Sequence, residues 1–225
     1  TRRRAGLSRA LHESLRQKRV LFRDGDIRSR RRADAGVVIE RKQIGNRSLS
    51  RKGGMRVQES NLIMLETSEA DLENVLMLWN DGEVTRYVGF PNGIGVDMPH
   101  LLSWLKGIEQ QRPRINHYSV YAEGLGYCGE TYYRIEPERG HAAAMDIKLV
   151  PAARGKGIAF AALKFAIEQA FANGATRVWV DPNPENEKAL ALYRKLGFTE
   201  KPMPNDLRES GGSFQPIYFE LEKPL

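Results

Sequence analysis

From residue 61 onward the apolar positions follow two rhythms. Short alternating or continuous apolar runs at 61–65, 118–122, 127–135, 142–150, 176–180, 198–201 and 216–222 predict strands, because a pleated strand turns successive side chains to opposite faces. Between them apolar residues recur every three or four positions, the spacing of one helix face. Leu72, Val75, Leu76 and Trp79 predict a first helix, with Ser68 as its N-cap and acids in its first turn. Leu101, Leu102, Leu105 and Ile108 predict a second over 98–111. A third runs from Ile158 to Ala172 and stops at Asn173-Gly174, and a fourth covers 183–196 and stops at Gly197. Residues 86–97, with Gly89, Pro91, Gly93 and Gly95, read as a loop. The order is β-α-α-β-β-β-α-β-α-β-β without internal repeat, which predicts an α/β (α+β) domain with a mixed sheet and helices on both faces.

Charge divides the chain. Residues 1–54 carry 17 Lys+Arg against five Asp+Glu, and the remainder carries 18 against 23. The net +7 of the whole chain therefore describes neither part. Residues 1–54 hold the clusters Arg2-Arg3-Arg4 and Arg28 to Arg32 and too few apolar residues for a core. We expect a poorly ordered basic extension ahead of a folded domain at 55–225. It is either an arm for RNA, ribosome or an acidic partner, or a stretch upstream of a natural start at Met55. The second reading draws on Arg51-Lys52-Gly53-Gly54, which a purine-rich, ribosome-binding-site-like stretch can encode. No apolar run is long enough to span a bilayer, and the arginine-rich N-terminus has no apolar core of a secretory signal. The single cysteine, Cys128, fits a reducing cytoplasm.

Arg154-Gly155-Lys156-Gly157-Ile158-Ala159 stands between a strand and a helix. Backbone N–H groups at a helix start have no intrahelical partners, and the helix dipole favours an anion there. Glycines let a phosphate approach the backbone, and Arg154 and Lys156 add positive charge, so the stretch reads as a pyrophosphate cradle. It is neither G-x-x-x-x-G-K-[ST] nor G-x-G-x-x-G after a first strand, which argues against a P-loop and against a dinucleotide fold. Downstream, Asn186 and Tyr193 are seven positions apart, about two helical turns, on one face of a helix closed by Gly197-Phe198.

Together these stretches resemble the two hallmarks of the GNAT superfamily of acetyl-CoA-dependent N-acetyltransferases, [RQ]-x-x-G-x-[GA] at Arg154, Gly157 and Ala159, and N-x-x-A-x-x-x-Y-x-x-x-G-F from Asn186 to Phe198. The resemblance implies a GNAT fold over roughly 59–222, a sheet of six to seven strands flanked by about four helices. It further implies that the N–H groups of Arg154, Gly155, Lys156, Gly157, Ile158 and Ala159 bind the coenzyme A pyrophosphate. Leu149 and Val150 would pair with the pantetheine arm, an N–H near Leu149 would polarise the thioester carbonyl, and Asn186 would hydrogen-bond the cofactor. Tyr193 would protonate the departing sulfur.

An ammonium acceptor must lose a proton before it attacks. Asp146, on the strand entering the loop, is the first candidate base and Glu130 the second; either could instead be a solvated carboxylate or a contact to a cationic substrate. Asp146 and the run Asp181-Pro182-Asn183-Pro184-Glu185-Asn186 are similar to features of aminoglycoside 6′-N-acetyltransferases. His12, His100, His117 and His141 lack metal-ligand spacing, so no metal is expected. Cys128 reads as a small core residue. Trp79, Tyr87, Phe90 and Trp104 fit either the acceptor wall or the core. The expected activity is direct acetyl transfer to a cationic primary amine, of an aminoglycoside-like molecule, a polyamine or a protein N-terminus as in ribosomal-protein acetyltransferases. The alternative is a non-catalytic acyl-CoA-binding module with a basic arm. Monomer and homodimer are both open.

Overall fold

The computed structural model describes residues 61–208 and 214–223. The basic segment 1–54, with both readings of it, lies outside the described residues. Seven strands form one sheet: β1 (Leu62–Glu66), β2 (Ile115–Ala122), β3 (Gly126–Glu136), β4 (Ala142–Leu149), β5 (Arg177–Val180), β6 (Thr199–Glu200) and β7 (Phe219–Glu222). Their spatial order is β1-β2-β3-β4-β5-β7-β6. All neighbours are antiparallel except β4 and β5, which are parallel and joined by a helix, as a parallel pair requires. Among the described residues five α-helices accompany the sheet, α1 (Leu72–Asn80), α2 (Gly82–Thr85), α3 (Met98–Glu109), α4 (Ile158–Ala172) and α5 (Glu187–Lys195). Among the described residues no helix is long and apolar enough to cross a membrane.

The alternation of strand side chains sorts the molecule into two unlike layers. Tyr118, Tyr133, Ala143 and Met145 point to one face, where Leu163, Ala166 and Ile167 of α4 and Leu190 and Tyr193 of α5 bury them. The other face of β2, β3 and β4 is polar. There α1 and α3 pack on each other through Leu72, Val75, Leu101 and Leu105 and set Trp79 and Trp104 over His117 and Glu130.

Local chemistry fixes the ends of these elements. The N–H and Oγ–H of Ser68 both donate to Asp71 Oδ2, at 2.8 and 3.0 Å, and hold the 3-10 turn Glu69–Asp71 that starts α1. A short helix not expected from the sequence, α2, precedes the loop at 86–97 and is capped by Asp81, whose Oδ1 accepts from Glu83 N at 2.8 Å; the loop itself opens with a 3-10 turn at Arg86–Val88. Strand β2 begins at Ile115, ahead of the expected 118, because Asn116 and His117 are buried polar strand residues. The last helix starts at Glu187 rather than 183. Asn183 Oδ1 accepts from Glu185 N at 2.8 Å in a side-chain turn, and Asn186 is the N-cap. Leu78 is buried and Leu102 is 42% exposed, so the apolar faces of α1 and α3 are rotated slightly from those expected.

Gly129 of β3 lies opposite Leu149 of β4. Gly129 has φ +143°, and a Cβ there would overlap the Lys148 carbonyl oxygen and come within 2.8 Å of the Leu149 Cα. Both objections are to backbone, which cannot swing aside. Gly129→Ala is therefore expected to cost about 2–4 kcal/mol in urea denaturation, against roughly 1 kcal/mol for Gly155→Ala, where the added Cβ meets open space. Equal losses at the two positions would refute the crowding at Gly129.

Candidate active site

The predicted cradle is an irregular turn entering α4. Val150 leads into the 3-10 turn Pro151–Ala153, and Arg154 is extended. Gly155 and Gly157 have φ +74° and +84°, a region that favours glycine, and a Cβ on either would meet nothing within 4 Å. Gly157 is the N-cap of α4 and no side chain caps the helix. Ala161 N donates to Gly157 O, so the N–H groups of Ile158, Ala159 and Phe160 lie ahead of that bond at the positive end of a 15-residue helix. Open space over two left-handed glycines and an uncapped helix start fit a diphosphate. The guanidinium of Arg154 turns back instead. Its Nε donates to Leu149 O at 3.3 Å and its Nη1 pairs with Glu83 Oε1 of α2 at 2.8 Å.

Strand β4 carries the second feature. It pairs with β5 only at Ala142, Ala143 and Ala144, so its remaining length has a single neighbour, β3. Val150 N donates to Cys128 O, and in an antiparallel ladder alternate residues then turn their N–H groups away from that neighbour. Ile147 and Leu149 are those residues. Ile147 N donates to the side chain of Asp146 at 2.8 Å. The Leu149 N–H thus faces the opening between β4 and β5, and its carbonyl meets Arg154. That edge is a template for an added extended chain.

Tyr193 stands on α5. Its ring is buried against Phe198 and Phe219, with centroids 5.8 and 6.4 Å away. Burial first, then the negative charges of Asp146 and Asp181, push its phenol far above the ordinary tyrosine range. The hydroxyl keeps its proton at neutral pH.

On the polar face Lys148 Nζ lies between two carboxylates, Asp146 Oδ2 and Glu130 Oε1, the latter at 3.2 Å. Glu130 Oε1 also accepts from Trp79 Nε1 at 2.8 Å. His117 Nε2 stands 3.1 Å from Glu130 Oε2 but out of line for a hydrogen bond, and its Nδ1 meets Thr67 Oγ1 at 2.7 Å. Burial opposes the charge on Glu130, yet the facing His117 and Lys148 outweigh it and hold its carboxyl below the usual range. Burial likewise opposes the charge on Lys148, and Asp146 and Glu130 raise it above the ordinary lysine value. The Tyr127 hydroxyl is buried nearby without a hydrogen-bond partner. Among the described residues no three or more His, Cys, Asp or Glu side chains are arranged to hold a metal ion.

The family model described as "Acetyltransferase (GNAT) domain" matches residues 61–199. The chain belongs to the GNAT acetyltransferase family. Its GNAT fold recurs in solved structures at TM-scores near 0.6. A spermidine N-acetyltransferase from Vibrio cholerae, in complex with CoA and spermine, is 19% identical over 72% of this chain and 96% of that one, with a TM-score of 0.59. A ribosomal-protein-alanine N-acetyltransferase from Brucella melitensis is 22% identical over 72% and 99%, with the same score. A putative acetyltransferase from Salmonella typhimurium, solved with acetyl-CoA, is 18% identical over 72% and 94%, again at 0.59. At these identities the likeness is one of fold. A comparison with curated protein sequences gives no match.

Of the residues singled out from the sequence, Gly155, Lys156, Gly157, Ile158 and Ala159 form the turn that enters α4 and its first residues, Asp146 and Leu149 lie on the part of β4 that β5 does not cover, and Tyr193 lies on α5. Val150 N is occupied by Cys128 O, and the Asn186 side chain accepts from Ala189 N at 3.3 Å as a cap. Glu130 sits behind Lys148, encased by donors. Lys148, His117 and Tyr127 are additions that only the strand register brings together.

The depressed proton affinity of Glu130 carries a pH signature. Its folded-state value lies below the ordinary 4.5, so its charge stabilises the fold above that pH and the contribution is lost as pH falls through the lower value. The unfolding free energy of wild type, followed by tryptophan fluorescence in urea, should fall more steeply between about pH 5 and pH 3 than that of Glu130→Gln. Parallel profiles would show that the carboxylate is not engaged in this way.

Proposed function

We propose that this GNAT domain transfers the acetyl group of acetyl-CoA directly to a primary amine. One observation carries the reading: the uncapped start of α4, with open space over its two glycines, follows closely along the chain on the stretch of β4 that has no β5 partner. Bound acetyl-CoA supplies a thioester, an acyl carbon already activated toward an amine. The chain does the rest. The N–H groups of Ile158, Ala159 and Phe160 hold a diphosphate, with Lys156 adding charge. The Leu149 N–H donates to a carbonyl oxygen placed beside it and steadies the negative charge that develops there. Asn186 and Val150 flank this path.

Asp146 anchors the incoming ammonium and receives its proton, directly or through water. The amine nitrogen then bonds to the acyl carbon, the carbon–sulfur bond breaks, and the Tyr193 hydroxyl gives its proton to the sulfur. Glu130 takes no proton in this scheme, because the donors around it hold it ionised. The acceptor is a small molecule or a peptide N-terminus, and a positively charged one suits the acidic balance of residues 55–225. A reducing compartment, the cytoplasm, suits the lone buried Cys128.

Tyr193→Phe keeps the buried ring and removes only the proton donor. The rate constant for thiol release with an amine acceptor is expected to fall about 100-fold, while coenzyme A binding measured by calorimetry changes less than about twofold. Unchanged turnover would remove Tyr193 from the chemistry.

A further inference from the structure

Resting on that reading, we infer that Lys195 reads the third phosphate of the thioester carrier, the 3′-monoester on the ribose of coenzyme A. Neither family motif asks for a lysine there: position 195 is one of the unspecified places between Tyr193 and Gly197.

Lys195 is the last residue of α5, and its Nζ stands 4.7 Å from the centroid of the Phe160 ring. Phe160 is the third residue of α4. Its N–H is one of the three that precede the first bond inside that helix, so the ring and the amide donors belong to one turn. A cation carried by one helix is thereby brought to the uncapped positive end of another. Like signs repel, so the placement is unfavourable until an anion arrives.

Ion pairing sets Lys195 apart from the cations around it. Arg194, the residue before it, lies 4.0 Å from Glu200 and over the Phe219 ring. Lys164, one turn on from Phe160, pairs with Glu168 at 4.0 Å. Among the described residues no carboxylate comes within 4.0 Å of Lys195 or of Lys156. One turn back on α5 stand Ala191 and Leu192, so the helix itself offers Lys195 no partner. A carboxylate would cancel its charge, whereas an aromatic face holds an ammonium and leaves the charge intact. A lysine fixed in this way has already lost part of its side-chain freedom, which lowers the cost of binding a ligand.

The charges of the ligand divide the work. The N–H groups of Ile158, Ala159 and Phe160, with Lys156, meet the diphosphate. The remaining phosphate of coenzyme A is a monoester and carries close to two negative charges at neutral pH. A lysine meets such a group as a point charge. Lys195 stands on a different helix, beside the third residue of α4, and is matched to this outlying monoester.

The test titrates coenzyme A and 3′-dephospho-coenzyme A, separately, into the full chain by calorimetry at fixed low ionic strength. Wild type should bind coenzyme A about tenfold more tightly than the dephospho form. Lys195→Met should weaken coenzyme A about tenfold and change the dephospho form less than about twofold, so that the two affinities converge. Lys195→Arg should keep the wild-type ratio. A folded Lys195→Met that loses both ligands equally places the lysine at the diphosphate and overturns the assignment, and so does unchanged binding of both. Equal affinities in wild type overturn it without any variant. A chain that binds neither ligand fails the acetyl-CoA reading together with this one. A chain that tells the two ligands apart but releases no thiol from acetyl-CoA with an amine loses only the acetyl-transfer step, and the role of Lys195 stands.

Discussion

Strand β4 has two neighbours for three residues and one neighbour for the rest. Strand β5 starts opposite Ala142 and has left the ladder after Ala144, so the main-chain groups at the far end of β4 face an opening instead of a partner. Unpaired strand edges are costly to bury and prone to pairing with other chains. Here the edge is short, and the turn that starts α4 follows directly after it. The start of α4 leaves the N–H groups of Ile158, Ala159 and Phe160 ahead of its first intrahelical bond, and Asp146 projects from the strand itself. At Gly129 the backbone of β4 leaves no room for a Cβ on β3.

The two faces of the sheet solve different problems. The α4 and α5 side is a conventional apolar core, with Tyr133, Ala143, Leu163 and Ala166 shielded from water. The α1 and α3 side buries ionised groups, and those are tolerated only where they are paired. Lys148 between Asp146 and Glu130 meets that condition, with Trp79 adding a donor. Removing one member leaves the others uncompensated, so the group stands or falls together. A buried ionic set of this kind is a poor source of stability and a good means of fixing charge at a chosen place.

Much of this was legible before any coordinates. Element order followed from periodicity, because Leu72, Val75 and Ile158 to Ala172 repeat at helical spacing and the strands at 142–150 and 176–180 are short and apolar. The turn into α4 was legible too, since Gly155 and Gly157 sit between a strand and a helix. The rest failed for identifiable reasons. Asn116 and His117 hid the start of β2, because buried polar residues look like loop when their partners are fifty residues away, as Glu66 and Thr67 are. Asn183 and Pro184 imitated the first turn of a helix that their own side-chain turn delays. The group Trp79, His117, Glu130 and Lys148 has no spacing at all along the chain. Only cross-strand pairing, which a one-residue slip would destroy, assembles it.

Arg154 has one guanidinium and two claims on it. It ties the turn before α4 to Glu83, in the segment that follows α1, through a pair in which both side chains are partly solvated. Such a pair contributes less than about 1 kcal/mol. An anion settling at the start of α4 would compete with Glu83 for the same charge and could win at small expense. The pair thus joins the turn before α4 to the helical segment across from it, and whatever draws the guanidinium away from Glu83 frees that segment.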